Sequence, residues 1–531
     1  MQVNESEEFH RILALPRRVW DEQAHVLADR VTKLLKTPSG RMILHPVQAQ
    51  ALIEAAQVRG LFCPIPVGGG KTLVSLLVPT VFAARRPMLI IPKHLLDKTM
   101  REWRELLYAW RISRTIKIIT YQSLSRVSHE TALEDYRPDL VICDEGHRIK
   151  NDRAACTRRV MRYLRNYPTV PFVVLSGTLT NNSIMEYHHL ITRTHGVLSP
   201  LPTKAHDAEL WADALDNRTM ISRPSPGALL RFATKADVGM TELATARAGY
   251  QRRLTETPGV ITLKNTRAAC SLTYSRIPLE VPQIVREAIG KLEGSWETPD
   301  AWPLTNPMEV WRHTRELLMG FFYRWNPRPP KAWLDARREW GKFVRETISR
   351  SRHLDSEMHV ALNHPDEPCL LAWHAIRDTF VPNSEPVWLS DHAVDMVGDW
   401  LKEPGLAWVE HAALGARVAD KYHVPFHGQG GNPIRDEGKA IVVSVHANSE
   451  GQNLQHGWAR NLVTSPGPSS KAWEQMIGRT HRLGQPKDEV TVEILTARPW
   501  HEEALDKALE SARYVQGTTG VEQKLLYGDW T

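Results

Sequence analysis

The 531-residue chain is too long for one compact core, and its 42% apolar and 24% charged residues are ordinary for a folded soluble protein of several domains. No run of about eighteen apolar residues occurs, which excludes a membrane-spanning helix. Five scattered cysteines (Cys63, Cys143, Cys156, Cys270, Cys369) without a CxxC pair exclude a disulfide framework and a zinc ribbon and suit a reducing cytosol, while the net charge of +7 favours a polyanionic partner.

The first residues, Met1 to Glu8, are polar and acidic, unlike a secretory signal. Residues 1–40 read as a helical lead-in with Val26, Leu27, Val31, Leu34 and Leu35 at helical intervals, ended by Thr37-Pro38-Ser39-Gly40. A helix through Ala56 follows His45-Pro46-Val47-Gln48. The donor and acceptor of the Gln48 amide suit an adenine edge, and equally a solvated helix start. The apolar run Leu61 to Val67 then leads into Gly68-Gly69-Gly70-Lys71-Thr72 and a helix from Leu73, which reads as strand, glycine loop and helix. Such a loop lets backbone N–H groups and a helix N-terminus surround a phosphate, with Lys71 on the β/γ-phosphates and the Thr72 hydroxyl on Mg²⁺. The full phosphate-loop pattern has glycine at position 65, where this chain has Ile65.

Further strands are expected at Pro87–Pro92, Thr115–Tyr121, Asp139–Cys143 and Phe172–Leu175, with a helix from about Leu95 to Trp110. The third of these strands runs straight into Asp144-Glu145-Gly146-His147, and the last into Ser176-Gly177-Thr178. After a phosphate loop, the first acid suits Mg²⁺ and the second the water that attacks a γ-phosphate. Short apolar strands alternating with helices predict a doubly wound parallel sheet with its ligands at the strand C-termini.

Gly70-Lys71-Thr72, Asp144-Glu145-Gly146-His147 and Ser176-Gly177-Thr178 resemble motifs I, II and III of helicase superfamily two, and the DEGH form with Gln48 upstream is most similar to the Swi/Snf-type DNA translocases. Far downstream, Gln475-Met476-Ile477-Gly478-Arg479-Thr480-His481-Arg482-Leu483-Gly484-Gln485 resembles motif VI of that family. Ser444 to Leu454, with Glu450-Gly451-Gln452-Asn453-Leu454, resembles motif V, its usual paired glycines partly replaced. Arg479 and Arg482, three apart, project from one side of a helix or tight turn, and guanidinium fits phosphate oxygens in a bidentate way. The resemblance implies two RecA-like doubly wound α/β domains with helical insertions between them. It also implies ATP and Mg²⁺ as cofactors, with Lys71, Asp144, Glu145, Arg479 and Arg482 catalytic. Gln48, Gly68, Gly69, Gly70, Lys71, Thr72, Gly451, Asn453 and Gln475 would be nucleotide-binding, and Thr72 and Asp144 metal-binding. Nucleic acid, foremost double-stranded DNA, is the implied partner, in the cytoplasm of a bacterium or phage-infected cell.

The expected organisation is a lead-in over 1–40, a first RecA-like domain over 41–200, a mostly helical region over 201–384, a second RecA-like domain over 385–515 and a tail or brace over 516–531. In the middle region Val285–Leu292 and Glu309–Phe321 read as helices. Gly405–Glu410 reads as the second domain's first strand and Val490–Leu495 as the strand that closes its sheet. Arginines 158, 159, 162 and 165, and the basic set Arg337, Arg338, Lys342, Arg345, Arg350 and Arg352, suit duplex phosphates or a solvated face equally. Most of the 18 tryptophans lie between Trp296 and Trp408 and read as core, and His188, His189 and His195 lack metal-ligand spacing. Two other functions fit the same residues: a strand-separating helicase on DNA or RNA, and a nucleic-acid-binding subunit with weak ATPase.

Overall fold

The computed structural model describes residues 2–18, 24–65, 69–177, 180, 182–217, 223–262, 270–302, 304, 307–351, 354, 356–449 and 451–531. Gly68, expected above to bind nucleotide, Thr178 and Glu450, of the stretches likened to motifs III and V, and Arg352 of the basic set lie outside the described residues. The chain divides into two units. The first comprises Met1–Thr266, Arg352–His359 and Glu510–Leu526, and the second Arg267–Ser351, Val360–Leu509 and Tyr527–Thr531.

In the first unit, β1 (Gly60–Cys63), β2 (Pro87–Ile91), β3 (Lys117–Thr120), β4 (Leu140–Asp144) and β5 (Phe172–Leu175) form a parallel sheet in the order β1-β5-β4-β2-β3. Because side chains alternate along a strand, each strand feeds two cores. Phe62, Met88, Ile90, Val141, Cys143 and Val174 point into one, with Val160 and Leu190 from helices Ala155–Asn166 and Met185–His195. Leu61, Cys63, Leu89, Ile91, Ile142 and Leu175 point into the other, with Leu52 and Leu76 from helices Pro46–Val58 and Lys71–Val81. Burial on both faces is why β1, β2, β4 and β5 read as continuous apolar runs. The register then sets the functional edge: Leu175 pairs with Cys63 on one side and with Asp144 on the other, so the ends of β1, β5 and β4 finish in one row.

The lead-in forms helices Glu7–Ala14 and Ala24–Leu35. The stripe read from sequence is corrected here: Val26 and Leu34 are 62% and 65% exposed, and the buried stripe is Ala28, Val31, Thr32 and Leu35. Thr32 takes a core position with its hydroxyl oxygen accepting the Leu44 N–H at 3.0 Å.

The second unit holds a seven-stranded parallel sheet ordered β10-β11-β9-β12-β13-β6-β14 and an antiparallel pair, β7 with β8. Its strands are β6 (Ser271–Pro278), β7 (Phe321–Trp325), β8 (Ser384–Trp388), β9 (Gly405–Val409), β10 (Phe426–His427), β11 (Ala440–Ser444), β12 (Arg460–Val463), β13 (Glu489–Thr496) and β14 (Asp529–Trp530). Two expectations are corrected. The strand at 405–409 is not the sheet's first in chain order, since β6 precedes it, and β13 does not close the sheet, because β6 pairs with it along its whole length and β14 lies beyond. The helix expected to reach Phe321 spans Pro307–Leu318. Gly320 stops it with φ +92°, where a Cβ would stand 2.1 Å from the Ser390 carbonyl oxygen, and the chain continues as β7.

Tryptophan serves mainly as core in both units: Trp110, Trp211, Trp333, Trp340, Trp400, Trp408 and Trp473 are all buried. Near the C-terminus, helix Trp500–Thr519 brings Tyr514 Oη to donate to Asp216 Oδ1 at 2.7 Å and the Gln516 carbonyl to accept from Gln251 Nε2 at 2.9 Å, both within the first unit. The final strand β14 returns to the second, where Trp530 stacks on Tyr274 at 4.7 Å. No helix among the described residues is long and apolar enough to cross a membrane.

Candidate nucleotide site

In the first unit, β1 leaves its sheet through Pro64 and Ile65, and the chain re-emerges at Gly69 and Gly70 to start the helix at Lys71. Gly70 has φ +74°, and a Cβ there would lie 2.1 Å from Gln48 Nε2. Both facts demand glycine. Gln48 is buried and uses its amide inside the chain: Oε1 accepts the His45 N–H at 2.9 Å, and Nε2 donates to the Gly70 carbonyl at 3.2 Å. It thus ties the start of helix 46–58 to the glycine loop. Lys71 is buried at the helix start, and its Nζ donates to the Ile65 carbonyl at 3.0 Å. Ile65, where the common pattern has glycine, is therefore itself part of the lysine's setting. Thr72 follows on the first turn, half-buried.

At the end of β4, Asp144 is buried, with Oδ1 accepting the Glu145 N–H at 2.9 Å and the Asp144 carbonyl accepting the Tyr121 hydroxyl at 2.7 Å. Glu145 has φ +52°, a left-handed conformation that turns the chain sharply after the strand. Burial, followed by the neighbouring Glu145 charge, pushes the Asp144 carboxyl up to about 6, against the opposing pull of the Lys71 ammonium. That pull places the lysine and the acid in one electrostatic environment. His147, also buried, has Nδ1 3.3 Å from Glu145 Oε2 and 3.2 Å from the hydroxyl of wholly buried Ser176. The DEGH turn and Ser176 at the end of β5 are thereby joined through one imidazole. Two acids crowded at the end of a buried strand, the second raising the proton affinity of the first, are a donor set suited to a hard divalent cation, with the Thr72 hydroxyl as a further oxygen.

In the second unit, helix Ser470–Ile477 ends at Gly478, and Arg479 to Arg482 follow as tight turns. Arg479 is buried; its Nε donates to the Gln475 carbonyl at 2.9 Å and its Nη1 to the Gln452 carbonyl at 3.1 Å. Arg482 Nη1 donates to Asn453 Oδ1 at 2.8 Å, and the Leu454 N–H donates to the Arg479 carbonyl at 3.2 Å. Gly451, with φ +82°, begins this stretch. The structure therefore brings Gly451, Asn453, Gln475, Arg479 and Arg482 together, and Gln48, Gly69, Gly70, Lys71, Thr72, Asp144 and Glu145 together in the other unit. Three groups escape a sequence reading: the Tyr121 hydroxyl, the Ile65 carbonyl and the Gln452 carbonyl. Only Tyr121 has a signal, its place at the tip of β3 on the same edge of the sheet.

Of the basic residues at 158–165, Arg159 is wholly buried and donates to the Leu124 carbonyl at 2.7 Å and to that of Arg126. Arg162 pairs with Glu134 at 3.1 Å. Arg159 holds a loop in place and is neither a phosphate grip nor a solvated charge. His188 and His189 sit against the Pro202 and Ile149 carbonyls at 2.7 and 2.8 Å.

A doubly wound parallel sheet with a glycine loop, an acidic pair and a serine tip along one edge is the arrangement expected of the first half of a superfamily-two core. Comparison with known proteins agrees: residues 96–220 match the SNF2-related domain, a stretch that holds the DEGH and Ser-Gly-Thr turns. Similar proteins include a "Transcriptional regulator ATRX homolog" of Caenorhabditis elegans, 31% identical over 119 residues, which are 18% of this chain and 8% of that protein. They also include a "DNA repair and recombination protein RAD54-like" of Homo sapiens, 35% identical over 97 residues, 18% of this chain and 12% of that protein. The mouse RAD54-like protein aligns over 175 residues at 26% identity, 33% of this chain and 20% of its own length. The chain carries a Swi/Snf-type domain of helicase superfamily two, and it spans a small part of the length of these relatives.

Proposed function

We propose that the chain is a motor that couples ATP hydrolysis to movement along double-stranded DNA. The observation that carries this reading is the row of the first unit, where Lys71, Asp144, Glu145 and, through His147, Ser176 share one sheet edge. A scaffold has no need of a buried lysine sharing its surroundings with a buried aspartate and a half-buried glutamate at a glycine loop, because each buried ion costs desolvation that packing does not return. The similar proteins named for DNA repair and recombination support DNA as the track.

In this reading the β/γ-phosphates of ATP lie on the loop amides and Lys71, and Asp144 with Thr72 would hold Mg²⁺. Bound there, Mg²⁺ supplies charge neutralisation of the phosphate oxygens. Glu145, held toward His147, orients the attacking water and accepts its proton. His147 reports the state of that carboxylate to the Ser176 turn. The resemblance gives Arg479 and Arg482 the role of guanidinium charge for phosphoryl transfer, and within the second unit their anchors on the Gln452 carbonyl and Asn453 keep both forks oriented.

The test is ATP hydrolysis by the full chain with no nucleic acid, single-stranded DNA, RNA, and duplexes of increasing length, with Lys71→Ala alongside. The expected result is a rate that rises with duplex length in the native chain and is abolished by the substitution. Stimulation by single strands or RNA alone would replace the reading with a strand-separating helicase, and no hydrolysis under any condition would leave a binding subunit.

A further inference from the structure

Helix Lys331–Arg350 of the second unit has one buried face, formed by Trp333, Ala336, Trp340 and Val344. That face is held firmly. Trp333 Nε1 donates to the Arg377 carbonyl at 3.1 Å, and its ring meets Trp373 at 5.1 Å and Phe380 at 5.3 Å edge-on. Trp340 stacks with Phe343 at 5.9 Å, and Phe343 meets His364 at 5.5 Å.

At about 100° per residue, the positions diametrically opposite the buried face are 331, 335, 338, 342, 345 and 349. They read Lys331, Asp335, Arg338, Lys342, Arg345 and Ser349, four of them basic. All four basic residues are exposed, and Arg338 has Asp335 3.5 Å away as a solvated neighbour. The remaining acids of the helix, Glu339 and Glu346, stand along one flank of this stripe with Arg350 beside Glu339, while Arg337 lies on the other side, toward the buried face, with its guanidinium over the Trp333 ring at 5.3 Å. The centre of the exposed face, its crest, therefore carries four cations against the single acid Asp335, with the two glutamates to one side of it.

We propose that this crest is a second contact for the phosphate backbone of duplex DNA, separate from the motif-bearing sheets and resting on the reading of the chain as a DNA motor. Arg338, Lys342 and Arg345 are about 6 and 4.5 Å apart along the helix, so all three can reach phosphates within one short stretch of duplex, where each strand carries a phosphate every ~3.4 Å of axis. The two glutamates disfavour a strand laid on their side of the crest. The indole packing beneath holds the helix backbone that carries the three cations, so binding has only their side chains left to order.

The test removes the crest in the full chain: Arg338→Ala, Lys342→Ala and Arg345→Ala together, all exposed, with folding checked by the melting midpoint. Duplex affinity is measured across salt concentrations. Loss of three phosphate contacts lowers the slope of log affinity against log salt by about 2.7 and weakens binding at 0.1 M salt by at least about tenfold. Hydrolysis without DNA, and the maximal rate at saturating duplex, stay unchanged while the duplex concentration for half-stimulation rises. The double substitution Glu339→Gln and Glu346→Gln moves affinity the other way. Unchanged affinity and slope in the triple variant, with the native chain binding duplex, overturn the proposal and give the crest to an acidic protein surface or to solvent. A native chain that binds no duplex at all overturns the motor reading instead.

Discussion

Asp144 is held in a position that the folded protein tolerates rather than favours. Its carboxyl is raised from 3.8 to about 6 by burial and by Glu145, so below its unfolded value the group contributes fully to stability, and that contribution is lost as pH climbs from about 4 to about 6. At neutral pH the nucleotide-free protein carries the cost of an ionised pair. Asp144→Asn is expected to raise the melting midpoint at pH 7.5 by a few degrees while abolishing ATP hydrolysis, measured by calorimetry and phosphate release on one preparation. A substitution that lowers both would show that the acid is structural. The same residue shows how far sequence reaches. The order of acid pair after glycine loop marks Asp144 and Glu145, because that chemistry has a fixed position on a doubly wound sheet. Nothing in the string marks the carbonyls of Ile65 and Gln452 as the seats of Lys71 and Arg479, since a backbone oxygen has no residue-type signature.

Among the elements, those buried on both faces were legible: β1, β2, β4 and β5 are apolar runs of strand length bounded by turn residues. The edge of the second sheet was not. β6 is partnered by β13, more than two hundred residues away, and its alternation of Leu272 and Tyr274 with polar neighbours reads weakly inside a helix-rich stretch. The junction at Gly320 was missed because helix and strand share the apolar run Leu317 to Phe322, and only the backbone shows where one period gives way to the other. Gly320→Ala should destabilise the protein by at least about 2 kcal/mol, since positive φ and a carbonyl at the Cβ position add. Gly290→Ala, on helix Gln283–Ser295 with nothing near its Cβ, should stabilise by about 0.5–1 kcal/mol. Urea titrations of the two variants check the pair, and equal effects would sink the argument.

At the scale of the whole molecule, stability on the acid side rests partly on two buried histidines, one in each unit. Burial lowers His195 from 6.5 to about 4 and His501 from 6.5 to about 3. Both fold neutral, so their contribution is complete above pH 6.5 and is lost as pH falls, through about 4 for the first and about 3 for the second. Each pKa unit is about 1.4 kcal/mol, so His195 alone accounts for a pH-dependent loss on the order of 3 kcal/mol. Unfolding free energies at pH 7.5 and 4.5 should differ less in His195→Gln than in the native chain; an unaltered difference would rule out this source.

The division of the chain has a consequence for how such a molecule is inherited and re-engineered. The first unit borrows Tyr514 and Gln516 from Glu510–Leu526, more than 240 residues beyond the end of its stretch Met1–Thr266, where they meet Asp216 and Gln251, and the second regains Tyr527–Thr531, whose Trp530 stacks on Tyr274. A single crossover anywhere between residues 266 and 510 therefore yields no self-sufficient half. Recombination between relatives would exchange mismatched partners at Asp216 or at Tyr274, so the two units are expected to diverge as one linked cassette rather than to shuffle as separate modules.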